Sequence, residues 1–366
     1  MNNKPVTRCT KCVLPSSLPG SEFNEAGECF WCRTGFPGYK PMGEDKLRDI
    51  LDMHRNKKGS IDCLVGISGG KDSSYVLLQM MRKFDMRVEG FTYVHDGLTD
   101  FALRNAIEVC KTLGVPHHQL SLPRHAHLES FRAFFKAWVA SGQAVAAAMT
   151  CVGCKHLHIL GTRLARDRSI PMVVWAMCPL EIPPFIPTQT PGSGKNKSQG
   201  MLGLGTILLT NMWRDRGFRN AFFRDTSTCV YGCLAFKPGT GYLQMRYPSV
   251  KHVHYFDYCD WNRDEIVATL KANTPWSVPD SLVTDWHSDC VFNVFKEYMY
   301  QRIFGASYTD AFLSNQIRHG LMTREQAWNE LLRSKEFYAR ELPVALSIVG
   351  LEHLDSQCDP SCFDIT

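Results

Sequence analysis

The run Ser68-Gly69-Gly70-Lys71-Asp72-Ser73-Ser74 concentrates groups that suit an anion. Glycines let backbone N–H groups turn towards a ligand with no Cβ in the way. Ser68, Ser73 and Ser74 add hydroxyls, and Lys71 adds a full positive charge. A second set is Cys9-x-x-Cys12 and Cys29-x-x-Cys32, with sixteen residues between the pairs. Each pair sets two thiolates on one turn, and two such turns can close a tetrahedron around zinc. Four protein ligands leave no open position, so a structural role is expected. Pro15, Pro19, Gly20 and Gly27 between the pairs are loop material, as in a knuckle too small for its own core. The plainer alternative is four unrelated buried cysteines. A third set, Cys151-x-x-Cys154, precedes Lys155, His156 and His158. Three readings of it stand. It is a second structural metal site, a catalytic iron–sulfur cluster or persulfide-bearing pair, or two small buried cysteines at a helix start. His287, Asp289 and Cys290 form a further cluster, where Ser288 or Asp289 also suits a helix N-cap.

The flanking sequence says what must position these groups. Cys63 to Ile67 is a short apolar run, read as a buried strand. The 68–74 turn follows, and then a helical pattern through Tyr75, Leu77, Leu78 and Met81. Strand, glycine turn and helix N-terminus together make an anion site. A polar helix over 44–58 leads in. Arg87 to Val94 reads as the second strand, ending at His95-Asp96-Gly97. An acidic residue there could hold a nucleotide or Mg²⁺, or simply make an Asp-Gly turn. A helix over 100–113 stops at Gly114, and His117 to Leu122 is a third strand. The helix over 126–140 carries Phe131, Phe134, Phe135 and Trp138 on a core face. A helix ends near Arg168, and a strand runs from Pro171 to Met177. This alternation over 61–177 predicts an α/β fold with a doubly wound parallel sheet. The segment 178–200 is rich in Pro, Gly and Ser. Its Lys195 and Lys197 could close over phosphate or belong to a solvated loop. Beyond it we expect helix over 201–223, a strand over 253–258 and a helix over 262–270. Several helices follow over 289–350, broken at Gly305 and Gly320, with a capping box at Thr323 and Gln326.

Composition narrows the class. Hydrophobic content of 44% supports a packed core. A formal charge of +5 suits small anionic substrates and makes nucleic acid a poor prospect, with tRNA left open. The start of the chain lacks the apolar core of a signal peptide. No uninterrupted apolar run suits a bilayer, so a cytoplasmic protein with no membrane partner is expected. In that reducing setting, 15 cysteines grouped in pairs argue for metal sites over disulfides.

Ser68-Gly69-Gly70-Lys71-Asp72-Ser73 resembles the signature of the PP-loop ATP pyrophosphatases; its spacing differs from the Walker loop. The resemblance extends further. Cys9-Thr-Lys-Cys12-Val-Leu-Pro15, then Glu22 to Glu28 with Cys29-x-x-Cys32, is similar to the amino-terminal signature of the N-acetyl sugar amidotransferases of surface-polysaccharide biosynthesis. Cys151-x-x-Cys154, His287-x-Asp289-Cys290 and the run from Leu313 to Glu325 are similar as well. The resemblance implies an ATP-binding α/β core over 44–225, after a zinc knuckle and linker over 1–43. A mixed, then helical, substrate or partner region would occupy 226–366. It implies that ATP adenylylates an acetamido oxygen on a nucleotide-linked sugar, releasing pyrophosphate. Ammonia from a separate glutaminase subunit then displaces AMP. Lys71 and Asp72 would be catalytic, with residues 68–74 and Asp96 holding ATP and Mg²⁺. Segment 175–190 departs from the Gly-Glu-Asn-like stretch associated with the family's substrate side. Related PP-loop enzymes insert sulfur using a C-x-x-C plus a later cysteine around a 4Fe–4S cluster. Sulfur transfer to a nucleotide, tRNA base or small metabolite is therefore the alternative, with Cys151 and Cys154 as the pair and Cys233, Cys229 or Cys290 as candidate third ligands. A non-catalytic, zinc-organised nucleotide-binding scaffold is the third reading.

Overall fold

A computed structural model describes residues 6–35, 38–181, 201–282 and 286–365. Lys195 and Lys197 lie outside the described residues. Five short strands form one sheet: β1 (Cys63–Gly66), β2 (Val88–Tyr93), β3 (His117–Leu120), β4 (Met172–Trp175) and β5 (Lys251–His254). Their order is β3-β2-β1-β4-β5. Every pairing is parallel, with Cys63 of β1 opposite Val88 on one side and Met172 on the other. The central strands are apolar on both faces because helices cover both. Cys63, Val65, Met172 and Val174 face the helices Lys71–Arg82 and Asp100–Thr112. Leu64, Val173 and Trp175 face the helix His156–Asp167. Alternate residues of each strand thus enter separate cores, as a pleated strand requires. This is the expected doubly wound parallel sheet. Its edge strand β5 comes from beyond residue 225.

Two further cores flank the sheet. Phe131, Phe134, Phe135 and Trp138 pack with Phe292, Phe295 and Tyr298, so the aromatic face of the helix Ala126–Ser141 is core as expected. Phe131 and Phe292 stack at 4.2 Å. The amino-terminal cysteines pack with Leu14, Leu18 and Trp31 against Tyr300, Phe304 and Ala311. The C-terminal helices run Phe292–Phe304, Tyr308–Arg318 and Arg324–Ile348. Gly305 and Gly320 adopt left-handed backbone between them, and Thr323 with Gln326 forms the capping box.

Three local expectations are corrected. The strand over 253–258 is β5, shifted towards the amino terminus, followed by a 3₁₀ turn Tyr255–Asp257. Tyr255 and Phe256 both enter the same core, and consecutive strand residues cannot share a face. The helix over 44–58 ends at Met53. Beyond it, Asn56 Oδ1 accepts from Gly59 N at 2.8 Å and organises a loop instead. The helix placed after Ser288 or Asp289 begins at Phe292, with Val291 at its N-cap. Residues 289–291 instead pair with the loop after β2: Asp289 O accepts from Thr99 N at 3.0 Å, and Gly97 O accepts from Val291 N at 2.7 Å. One stretch, Ala144–Asp167, has the length and mean hydropathy (1.3) of a membrane span, but half of that window is buried in the fold. It is also broken into helices Ala144–Met149 and His156–Asp167 by a 3₁₀ turn at Gly153–Lys155.

Candidate active site

The direction of winding reverses between β1 and β4. Ligands of open α/β sheets sit outside the carboxyl ends of the strands at such a point. The 68–74 loop leaves β1 there, and the 3₁₀ turn Pro179–Glu181 follows β4.

The loop is held from several sides. Gly69 has φ +83°, and a Cβ there would meet Ala102 O at 1.8 Å. Only glycine fits. Its carbonyl accepts from Trp276 Nε1 at 3.0 Å and from Asn105 Nδ2 at 3.2 Å. Ser68 N donates to Ser73 Oγ at 3.1 Å, and Ser73 Oγ donates to Gly70 O at 3.2 Å. Gly70 caps the helix Lys71–Arg82 without a side-chain acceptor, so the first N–H groups stay available to a ligand. Ser74 Oγ is buried with no hydrogen-bond partner. Lys71 is buried beside Asp72, with Nζ to Oδ2 at 3.3 Å, and lies over the Trp261 ring at 5.7 Å. Trp261 Nε1 donates to Asp72 Oδ1 at 2.8 Å. Asp289 adjoins this loop, its carboxylate facing Gly70 and hydrogen-bonding with Ser68. Burial pushes its carboxyl up, against the opposing pull of Ser68 and Lys71.

Glu181 completes the site from the β4 side. Trp286 Nε1 donates to Glu181 Oε1 at 3.0 Å, and His287 Nε2 is 3.8 Å from Oε2. Burial, then the Asp72 carboxylate, push the Glu181 carboxyl up to about 7, while Lys71 and Lys296 pull the other way. Burial likewise holds His287 neutral, well below the usual imidazole range. A carboxyl poised near neutrality beside a buried lysine is equipped to hold or accept a proton.

Asp96 stands at the carboxyl end of β2 and contacts His125 Nδ1. Its loop is also a turn, with Gly97 N donating to His95 Nδ1 at 3.2 Å.

Cys151 and Cys154 hydrogen-bond to one another. That contact, with Lys296 and Lys155 nearby, lowers the Cys151 thiol to about 6 despite its burial. Cys154 Sγ is 3.3 Å from His127 Nε2, and Tyr93 OH donates to Gly153 O at 3.2 Å. Burial, then Asp289 and Cys151, push Cys290 up, which places it in the same electrostatic neighbourhood. Cys233 Sγ lies 3.9 Å from Met149 Sδ instead. Lys296 acts on Cys151, Cys290, Asp289 and Glu181 alike, so the cysteine pair and the loop form one charged region.

Among the described residues, one group of three or more His, Cys, Asp or Glu has all its ligand atoms within 4.8 Å of one another: Cys9, Cys12, Cys29 and Cys32. Backbone N–H groups of Lys11, Cys12 and Cys29 approach Cys9 Sγ at 3.2–3.5 Å. Arg318 Nη1 lies 3.5 Å from Cys12 Sγ and 3.8 Å from Cys32 Sγ. Four converging sulfurs ringed by donors and a guanidinium fit a thiolate-bound cation.

Glu181, Trp261, Trp286 and Lys296 escaped the sequence reading as site residues. The position of Glu181, just past an apolar strand, is a signal that could have found it. The indoles and Lys296 come from distant segments, and no local pattern marks them.

No family model matches the chain, and no curated protein matches it. Among solved structures, an NMN synthetase from Francisella tularensis is similar over 81% of this chain and 92% of that one, at 10% identity and a TM-score of 0.37. The U34-tRNA thiolase NcsA from Methanococcus maripaludis, solved with its 4Fe–4S cluster, is similar over 83% and 87%, at 12% identity and 0.32. A glutamine-dependent NAD⁺ synthetase from Acinetobacter baumannii is similar over 80% of this chain and 43% of that one, at 13% identity and 0.32.

Proposed function

We propose that this chain is an ATP-dependent adenylylating enzyme that cleaves ATP to AMP and pyrophosphate at the 68–74 loop. One observation carries the reading: a glycine-pinned loop with buried Lys71 opens a helix at the sheet's reversal point, facing the carboxyl of Glu181. The loop amides and Lys71 would hold the phosphates and neutralise the charge that grows on departing pyrophosphate. The oxygen donors of Ser68, Asp289 and Asp72 suit Mg²⁺, which would supply further neutralisation of phosphate charge. The acceptor in this reading is an amide oxygen, the acetamido group of a nucleotide-linked sugar. Its oxygen bonds to the α-phosphorus as pyrophosphate leaves. Ammonia from a glutaminase partner then forms the C–N bond while the C–O bond breaks and AMP departs. Ammonia sheds a proton in that step, which Glu181 would take up.

The test is product analysis with ATP, ammonium and nucleotide-linked N-acetyl sugars. AMP and pyrophosphate are expected, with turnover lost by about two orders of magnitude or more in Lys71→Ala. ADP and phosphate as products would refute the assignment.

Sulfur transfer is the second reading, supported by the hydrogen-bonded thiols of Cys151 and Cys154, with His127 Nε2 3.3 Å from Cys154 Sγ, in the same charged region as the loop. Cys151 and Cys154, with Cys290 electrostatically coupled to both, are a soft donor set of the kind that binds iron–sulfur clusters. Anaerobic purification separates the two. A brown protein that loses its iron in Cys151→Ala supports sulfur. A colourless protein whose Cys151→Ala variant still releases AMP supports nitrogen.

A further inference from the structure

The helix Tyr308–Arg318 touches both the four-cysteine centre and the candidate active site. At its end, Arg318 Nη1 faces the sulfurs of Cys12 and Cys32. Arg318 Nη2 donates to Asn315 Oδ1 at 2.5 Å. Asn315 is fully buried, and its Nδ2 donates to Leu180 O at 2.6 Å. Leu180 directly precedes Glu181 in the turn after β4. On the same helix, Phe312 stacks on Trp286 at 4.8 Å, and Trp286 is the indole that donates to Glu181. Phe312 also meets Trp261, the indole that donates to Asp72. The knuckle is seated on this helix by Val13 N donating to Ser314 Oγ at 3.3 Å and by Arg8 paired to Asp310 at 2.7 Å.

We infer that Asn315 and Arg318 are positioning residues through which the occupied four-cysteine centre fixes the turn bearing Glu181. The physical reason is charge and geometry. Four thiolates around a divalent cation keep net negative charge, which a guanidinium at their edge compensates. Once so held, Arg318 presents one fixed donor to Asn315. A buried amide has a defined set of partners, so orienting its oxygen also orients its N–H₂ group on Leu180 O. A buried carbonyl without its donor is costly, so the Pro179–Glu181 turn follows the amide. The zinc centre is therefore more than a staple for a small unit. It sets the register of a carboxyl on the turn after β4, distant in sequence from the cysteines. What this does for turnover rests on the adenylylation proposed above; the mechanical coupling does not.

The test uses the zinc-loaded full chain with neither ATP nor acceptor. Metal content is measured, and Trp286 emission is taken as the difference between each protein and the same protein carrying Trp286→Phe. In the wild type, removing zinc with a chelator should shift that emission. Asn315→Ala keeps all four cysteines. It should keep its zinc, show the shifted emission before any chelator is added, and change little afterwards. Asn315→Asp has nearly the same volume and replaces the donor with an acceptor; it should behave alike and stands in if the alanine variant does not fold. Wild-type emission in zinc-loaded Asn315→Asp would overturn the inference. So would a wild-type signal unmoved by zinc removal, or a chain that takes up no zinc. Where ATP cleavage is measured, Asn315→Asp should lower kcat roughly tenfold or more with the KM for ATP little changed. Since the fluorescence readout involves no ATP, its failure leaves the proposed chemistry standing, and the absence of ATP cleavage leaves the coupling standing.

Discussion

At the residue scale, the informative side chain is Glu181. Burial and the Asp72 carboxylate lift it from 4.5 to about 7. Between those values an unfolded chain releases the proton that the folded chain retains. The folded state binds more protons there, so stability falls as pH rises through the window, by about 3 kcal/mol in all. Glu181→Gln removes that slope. Thermal melts should show the variant matching wild type below about pH 4.5, gaining on it as pH rises to about 7, and keeping a constant lead above that. Equal melting curves across the range would mean that the carboxyl is not held neutral. Turnover should fall in the same variant, because an amide cannot take up the proton that ammonia sheds. In the proposed reaction Lys71 would act by charge, so Lys71→Arg should retain more activity than Lys71→Ala, although the wider fork crowds Trp261.

At the element scale, the site depends on a turn that only one residue allows. Gly69 combines positive φ with a backbone oxygen where a Cβ would stand. Gly69→Ala must move either Ala102 or the loop. We expect a loss of stability of about 2 kcal/mol or more, read by denaturant melts, together with loss of ATP binding read by calorimetry. A variant that binds ATP with wild-type affinity would show that the loop is softer than its contacts imply. The helix Arg263–Asn273 gives a contrasting case. Asn262 Oδ1 accepts from Asp264 N and Glu265 N at its start. Asn262→Ala should cost about 1 kcal/mol by the same melts, an ordinary cap effect.

At the scale of the whole molecule, the C-terminal helices and the knuckle are joined by a buried ionic cluster. Lys335 Nζ donates to Asp310 Oδ2 at 2.7 Å, to Gln301 Oε1 at 2.8 Å and to Ser307 Oγ at 2.6 Å. Arg8 reaches the other oxygen of Asp310. These cations hold the Asp310 carboxyl well below its usual range, although burial alone would raise it. Removing one partner leaves a buried charge short of its counter-ion. Lys335→Met should therefore destabilise by about 3–5 kcal/mol in denaturant melts. A small effect would mean that water reaches Asp310. The expected domain division at 43 and 225 coexists with a sheet that takes β5 from beyond the second boundary and a knuckle core completed by Tyr300 and Phe304.

The local parts were legible because each is a short-range consequence of residue type. The apolar run at 63–67, the glycines behind it and the helical period after it specify strand, turn and helix with no help from elsewhere. The two C-x-x-C pairs specify converging sulfurs by their spacing, and Thr323 with Gln326 specifies a helix start. Signals failed where neighbours decide. The 253–258 run alternates well enough for a strand, yet Tyr255 and Phe256 turn inward together because one core receives both. Asp289, which the sequence offers both to a cluster with His287 and Cys290 and to a helix cap, is drawn to Ser68 by pairing of its backbone with the loop after β2. Glu181, Trp286, Asn315 and Arg318 are ordinary residues in the chain and become a connected set only when helix Tyr308–Arg318 packs against the turn after β4. Sequence alone determined which groups could hold phosphate and metal, since that follows from local backbone and ligand chemistry. Tertiary structure alone decided which carboxyl is electrostatically coupled to the 68–74 loop and what ties it to the cysteine centre, since desolvation and long-range contacts exist only in the folded chain.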